Sequence, residues 1–408
     1  MKIYLFATFF IFSISGSATA QKAALVSAAD LELNWMQTND KDEMVLTVKN
    51  NGKVSLPAAG WKIFFNSRAM KTIGVDSLLA KITLVNGALF QLSPLPSFKA
   101  IAPAEAVKLH IATETIYNVS ERPSGFYLVW DKTPDQGAAI KNVEFQHLAA
   151  RLTFEQELSK KVYEENKKIK DIPVNQLPLV FPTPADYSPG KGTFRLTREV
   201  NVVGIPAFAN EASLLTQDIT RVLGEKTAGR PSAVAGKIVF LKDEKMAEEA
   251  YALTISPNQI TIAASDPAGA FYAIQSLKSM FPASSWSKIE KSIAIPAAVI
   301  NDHPRFGFRG FMMDVGRNFQ PKSEVLKALD LMALYKLNVF HFHLTEDEGW
   351  RLEIPGLPEL TTVGAARGHS VTERAQILPA YGSGPITGLN SGTGFLYQSR
   401  VYRNLEVC

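Results

Sequence analysis

The stretch from Phe308 to Leu344 constrains the fold more than any other part of the chain. Phe308–Val315 has the length and apolar content of a strand. Ser323–Tyr335 spaces Val325, Leu329 and Met332 for one face of a helix, and Asn338–Leu344 is a second strand. A strand, a crossover helix and a strand imply a parallel pair, since a tight turn cannot join two parallel strands. Functional groups in such units gather beyond the carboxyl ends of the strands. Both ends are polar here: Asp314-Val315-Gly316-Arg317-Asn318 follows the first strand and Thr345-Glu346-Asp347-Glu348 the second.

Arg317 presents several donors in a rigid fork, suited to two adjacent hydroxyls or a carboxylate on a ligand, and equally to an ion pair with the neighbouring strand. On an extended stretch Glu346 and Glu348 face one way and Asp347 the other, so at most two of the three acids share a site. His341 and His343 alternate onto one face of the second strand. An H-x-H pair can hold a hydrolytic metal, but His110, His147, His303 and His369 add no ligand spacing, and Phe340, Phe342 and Leu344 on the opposite face suit packing against helices.

The remainder of the 408 residues, 46% hydrophobic and 20% charged, reads as folded globular material of two or three domains. A net charge of +4 with scattered basic residues gives no argument for nucleic acid. Residues 1–20 read as a signal peptide, with Lys2, an apolar run from Ile3 to Ile14 and an Ala18-Thr19-Ala20 cleavage site. That run is shorter than the ~20 residues of a membrane span. Export to a bacterial periplasm or beyond is expected, without a membrane anchor. Cys408 is the sole cysteine, so stability comes from packing rather than an internal disulfide.

Residues 21–150 are expected to form an all-β sandwich. Met44, Leu46 and Val48 alternate with Val45, Thr47 and Lys49, Asn50-Asn51-Gly52 supplies a turn, and Trp61–Phe65 and Phe126–Trp130 are strand-like. Its aromatic residues suit core packing or stacking on sugar rings. The charged stretch 151–171 reads as an exposed helix or linker. Residues 172–300 read as a small α+β domain: a helix over Glu211–Leu223, a strand at Lys237–Leu241, a hairpin from Ala252–Ser256 and Gln259–Ala263, and a helix opened by Asp266 as cap and Pro267.

Three stretches, "RGFMMDVGRNF", "LDLMALYKLNVFHFHLTEDEGWRLEIPGLPELTTVGA" and "YGSGP", resemble the family 20 glycoside hydrolases, in particular chitobiase-like bacterial β-N-acetylhexosaminidases. "VKNNGKVSLPAAGWKIFF" resembles the carbohydrate-binding-like sandwich at the start of chitobiases, and residues 172–300 resemble the small domain before the barrel. The resemblance implies a (β/α)₈ barrel beginning at 301–395 and exo-hydrolysis of terminal N-acetylhexosamine from N-acetylglucosamine-containing oligosaccharides. It also implies substrate-assisted retention with no metal or organic cofactor. Arg317 would bind the outer hydroxyls of the terminal sugar, and Glu346 stands where the family usually has Asp.

The family's catalytic Asp-Glu pair lies in an H-x-G-G-D-E motif. Asp-Glu occurs here at Asp42-Glu43, Asp243-Glu244 and Asp347-Glu348, none of them in that motif. No catalytic residue is therefore assigned in this chain. A full barrel takes ~250 residues, whereas about a hundred follow Phe306, so the barrel is expected to be incomplete. Residues 396–408 are expected to be an out-of-frame tail after a one-base insertion near Phe395. The 408-residue product is expected to be inactive. A sugar-binding protein without turnover, or a metal-dependent hydrolase using His341 and His343, are the alternatives.

Overall fold

The computed structural model describes residues 25–37, 43–68, 74–75, 78–112, 116, 121–146, 149–171, 173, 179–225, 236–388 and 392–397. The expected signal peptide, Asp42, His147 and the tail from 398 through Cys408 lie outside these residues. Contacts divide the chain into two units. One takes the residues up to Thr153 together with Gly368–Thr372 and Leu378–Ile386; the other takes Phe154–Arg367, Glu373–Ile377 and those from Thr387 onward.

The first unit contains two five-stranded sheets. In spatial order one runs Asn142–Gln146, Leu31–Gln37, Glu43–Asn50, Ala106–Ala112 and Gly74–Val75; the other runs Ala80–Asn86, Leu89–Pro94, Trp61–Asn66, Ser124–Trp130 and Gly137–Ala139. Neighbours are antiparallel except Leu31–Gln37 and Asn142–Gln146, which run parallel. Alternation drives the assembly, because Met44, Leu46 and Val48 all turn inward at 1% exposure or less. Trp35, Trp61, Phe65 and Phe126 are buried beside them, with Trp35 and Phe65 edge-on at 5.5 Å and Phe65 and Phe126 stacked at 5.2 Å. These four aromatics thus fill the core instead of presenting faces to sugars.

Two short stretches from late in the sequence complete this unit. Phe64 and Tyr127 stack at 5.1 Å, and the His369 ring sits 5.2 and 5.3 Å from them. His369 shares a hydrogen bond with the Tyr127 hydroxyl through Nδ1 at 3.2 Å and bonds the Pro134 carbonyl through Nε2 at 2.7 Å. The Asn66 side chain donates to the Pro379 carbonyl at 3.1 Å and accepts from the Gly382 N–H at 3.3 Å. Gly125 and Gly382 have positive φ, and a side chain on Gly125 would collide with the Gly382 backbone, so glycine is required where the chains cross.

A helix, Ala149–Asn166, begins in the first unit and continues into the second, and its side chains from Gln156 onward are exposed. The charged stretch is therefore helical with a solvated surface. A six-stranded sheet follows in the order Asp186–Leu196, Ile293–Asp302, Tyr251–Ile255, Gln259–Ala264, Lys237–Lys242 and Asn201–Val203. Helix Ala209–Leu223 buries Ala212, Leu215, Ile219, Val222 and Leu223, one stripe at helical spacing. Helix Pro267–Ser279 packs on the hairpin Tyr251–Ile255/Gln259–Ala264. Its first turn is satisfied by Asp266, whose carboxylate accepts the Gly269 N–H at 2.8 Å.

Gly310–Asp314 and Val339–His343 pair in parallel, from Gly310 with Val339 to Asp314 with His343. The crossover helix is Lys322–Leu334, which buries Val325, Ala328 and Met332. No helix among the described residues is long and apolar enough to cross a membrane.

Candidate functional site

The parallel register sets Asp314 beside His343, so the two strand ends open side by side. The Val315 N–H donates to the His343 carbonyl at 3.0 Å and continues the pairing one residue beyond the strands. Three residues after Asp314 the chain turns back, and the Arg317 N–H donates to Asp314 Oδ1 at 3.0 Å. The Arg317 guanidinium then bonds Asp314 Oδ2 through Nη1 at 2.6 Å and Glu346 Oε2 through Nη2. The Glu346 side chain is 9% exposed and that of Arg317 44%, so the carboxylate forms a floor under a guanidinium that still meets solvent. His343 Nε2 lies 3.9 Å from the same Glu346 oxygen.

Thr345–Glu348 is not one extended stretch. Thr345–Glu346 and Gly349–Trp350 form an antiparallel hairpin, with Glu346 opposite Gly349 and Asp347-Glu348 at its turn. Glu346 and Glu348 nonetheless both turn inward while Asp347 is exposed; the tight turn, and not strand alternation, arranges this. Glu346 Oε1 and Glu348 Oε2 are buried and accept no hydrogen bond from the described residues. Burial pushes the Glu346 carboxyl above its usual value, against the attraction of Arg317. Burial likewise raises Glu348, helped by the charges of Glu346 and Asp347. Asp314 behaves oppositely: burial raises it, but the Arg317 backbone and guanidinium outweigh that and hold the carboxyl low.

Arg317 thus makes the ion pair with the neighbouring strand end while 44% of its side chain stays exposed. His341 is exposed, its ring 6.3 Å from that of His343. Among the described residues no three His, Cys, Asp or Glu side chains come together as metal ligands.

Two further residues belong to the site that sequence reasoning missed. Arg351 is 0% exposed. Its Nε donates to the carbonyls of Val315 at 3.0 Å and Gly316 at 3.2 Å. Nη2 donates to Gly316 at 2.8 Å and Gly392 at 3.1 Å, and Nη1 to Ala365 at 2.9 Å and Gly394 at 3.1 Å. Burial lowers its pKa to about 10, and the neighbouring charge of Arg367 adds to this. Arg367, 1% exposed, donates through Nη2 to the Arg317 carbonyl at 2.7 Å. The one local signal was an arginine flanked by Trp350 and Leu352, where a cation is out of place.

A second polar cluster lies where this strand pair begins. Arg309 grips Glu249 through both guanidinium nitrogens at 3.0 and 3.2 Å, and Lys336 Nζ meets Asp302 at 2.7 Å and the Tyr251 hydroxyl at 2.9 Å. They line a cleft of about 520 Å³. Each of these cations meets an acid within the cluster, an arrangement that braces the fold.

Three family models match in succession. They are the putative carbohydrate binding domain over residues 18–175, glycosyl hydrolase family 20 domain 2 over 177–303, and the glycosyl hydrolase family 20 catalytic domain over 306–405. The chain is 32% identical over 388 residues to an N,N'-diacetylchitobiase of Vibrio harveyi, covering 91% of this chain and 42% of that protein. It is 30% identical over 392 residues to a β-hexosaminidase of Vibrio vulnificus, covering 88% and 43%. The chain therefore spans less than half the length of these relatives. A solved family 20 exo-β-N-acetylglucosaminidase from Vibrio harveyi, in complex with N-acetylglucosamine, superposes with a TM-score of 0.72 at 24% identity, over 93% of this chain and 55% of that one, and shares its fold. With three consecutive family models spanning its sheets and its parallel strand pair, the chain belongs to glycosyl hydrolase family 20.

Proposed function

We propose that this chain supplies the sugar-gripping part of a β-N-acetylhexosaminidase, acting on terminal N-acetylhexosamine of N-acetylglucosamine-containing oligosaccharides. The carrying observation is the Arg317 guanidinium, fixed from below by Asp314 and Glu346 at the carboxyl ends of two parallel strands, with 44% of its side chain exposed. A fork held in this way is preorganised for two neighbouring hydroxyls of a sugar ring, and little rotamer entropy remains to be lost on binding. Glu346, one methylene longer than the aspartate expected there, still reaches the guanidinium. The strand pair is read as the start of a (β/α)₈ barrel. The parts of the chain are read as a signal peptide at 1–20, a sandwich at 21–150, a linker helix at 151–171, an α+β domain at 172–300 and barrel at 301–395, in an exported protein.

In this reading the acetamido oxygen of the sugar is the nucleophile, and none of Glu346, Asp347 and Glu348 is its partner. Glu346 is committed to Arg317, while Asp347 and Glu348 occupy the hairpin turn. The 408 residues contain no H-x-G-G-D-E motif, so their own contribution is recognition without turnover. Calorimetric titration with N-acetylglucosamine and chitobiose tests this, beside an assay on a chromogenic N-acetylglucosaminide. The expected result is saturable binding that Arg317→Ala weakens strongly but leaves measurable, and no turnover. Binding indifferent to Arg317→Ala would overturn the role of Arg317, and turnover would overturn the absence of catalysis.

A further inference from the structure

We propose that Arg351 and Arg367 form a positioning clamp for Arg317, setting the sugar-gripping fork through its backbone and not through its side chain. The proposal rests on the reading of Arg317 as the sugar-gripping group. Three consecutive carbonyls, those of Val315, Gly316 and Arg317, accept hydrogen bonds from these two buried guanidinium groups. They belong to the turn that carries Arg317 from the strand end to Glu346.

A buried arginine serving only as packing would need a carboxylate to answer its charge. Among the described residues no carboxylate lies in ion-pair range of Arg351; its N–H groups go to five carbonyl oxygens, two of them in the Arg317 turn. The other three, of Ala365, Gly392 and Gly394, tie that turn to chain 48 and more residues away from Arg317 in sequence. The slot is cut to the guanidinium: a side chain on Gly349 would strike Arg351 Nη2 and the Gly316 carbonyl, and one on Gly394 would strike the Phe319 ring. The like charges of Arg351 and Arg367 oppose each other, and the acids Asp314, Glu346 and Glu348 offset them. Lysine cannot replace Arg351, since a single ammonium has three donors at one point and cannot span carbonyls on several sides.

The test is a double-mutant cycle on N-acetylglucosamine affinity with Arg351→Lys and Arg317→Ala, together with nitrogen-15 spectra of the arginine side chains. If Arg351 acts through Arg317, Arg351→Lys weakens binding roughly tenfold in the wild-type background and has no effect in Arg317→Ala. The Arg317 guanidinium resonances, held distinct by Asp314 and Glu346, should average together in Arg351→Lys. Equal losses in both backgrounds, or Arg317 resonances unchanged, would overturn the clamp. If Arg317→Ala itself leaves affinity unchanged, the sugar-gripping reading fails, and the spectra still decide whether Arg351 orders Arg317. Should Arg351→Lys not fold, Arg367→Met takes its place in the same cycle, because it removes the donor to the Arg317 carbonyl while leaving the Arg351 slot intact.

Discussion

Arg309 and Glu249 meet fork to fork, Nη1 on Oε2 at 3.0 Å and Nη2 on Oε1 at 3.2 Å, with both side chains less than one-fifth exposed. The pair joins the start of the Gly310–Asp314 strand to the loop before Tyr251–Ile255. The hydrogen bonds from Arg309 hold the Glu249 carboxyl below its usual value. A lowered carboxyl pKa contributes stability that is present above the unfolded value and lost as pH falls through the folded one. Glu249→Gln should lower unfolding stability at neutral pH by roughly 2 kcal/mol. In thermal melts across pH, the gap between variant and wild type should close below the ordinary glutamate value of 4.5.

Lys336 sits 2.7 Å from Asp302 and 2.9 Å from the Tyr251 hydroxyl, with 10% of its side chain exposed and 13% of that of Asp302. Lys336→Met strands a buried carboxylate and should cost roughly 3–5 kcal/mol in urea denaturation. The double variant Lys336→Met/Asp302→Leu, which removes both charges, should recover most of that loss.

Glu348 is held above its usual value by burial and by Glu346 and Asp347. Its sign is opposite to that of Glu249: the folded state favours the protonated form, and the penalty grows as pH rises through the folded value. Glu348→Gln should therefore stabilise the protein at neutral pH and make no difference in acid. The gain should stay well under about 1 kcal/mol, because solvent screens a turn residue. Paired melts at the two pH values check it.

Gly349→Ala places a methyl group against the Arg351 guanidinium and the Gly316 carbonyl. Overpacking of this kind costs roughly 1–3 kcal/mol. The same variant should weaken N-acetylglucosamine binding, which titration calorimetry would read beside the melting temperature.

Much of the architecture was legible because its causes are local. Asp266 and Pro267 opened a helix as expected, the hairpin of 251–264 followed from alternation, and the strand–helix–strand unit from its change of period. The strands themselves are shorter than their apolar runs, Gly310–Asp314 in place of 308–315, although backbone bonds of Arg309 and Val315 extend the pairing by a residue at each end. What stayed hidden depends on distant partners. Arg351 is explained only by carbonyls as far away as Gly316 and Gly394, and the hairpin at Thr345–Trp350 by a turn that three successive acids do not announce. The ion pair of Arg317 with Glu346 was one of two readings open in the sequence, and the fold makes that bond while leaving the other reading available.

The sandwich takes in Gly368–Thr372 and Leu378–Ile386 from late in the sequence, with His369 against Phe64 and Tyr127. A nascent chain that has emerged only as far as the charged helix has every described strand of that unit and still lacks the pieces that pack against Phe64 and Tyr127. Its last contacts must await more than two hundred further residues of synthesis, so this part of the protein finishes folding late although it is made first. A protease that nicks this helix in its exposed part, from Gln156 onward, would likewise not release a complete sandwich, because part of it is encoded on the other side of the cut.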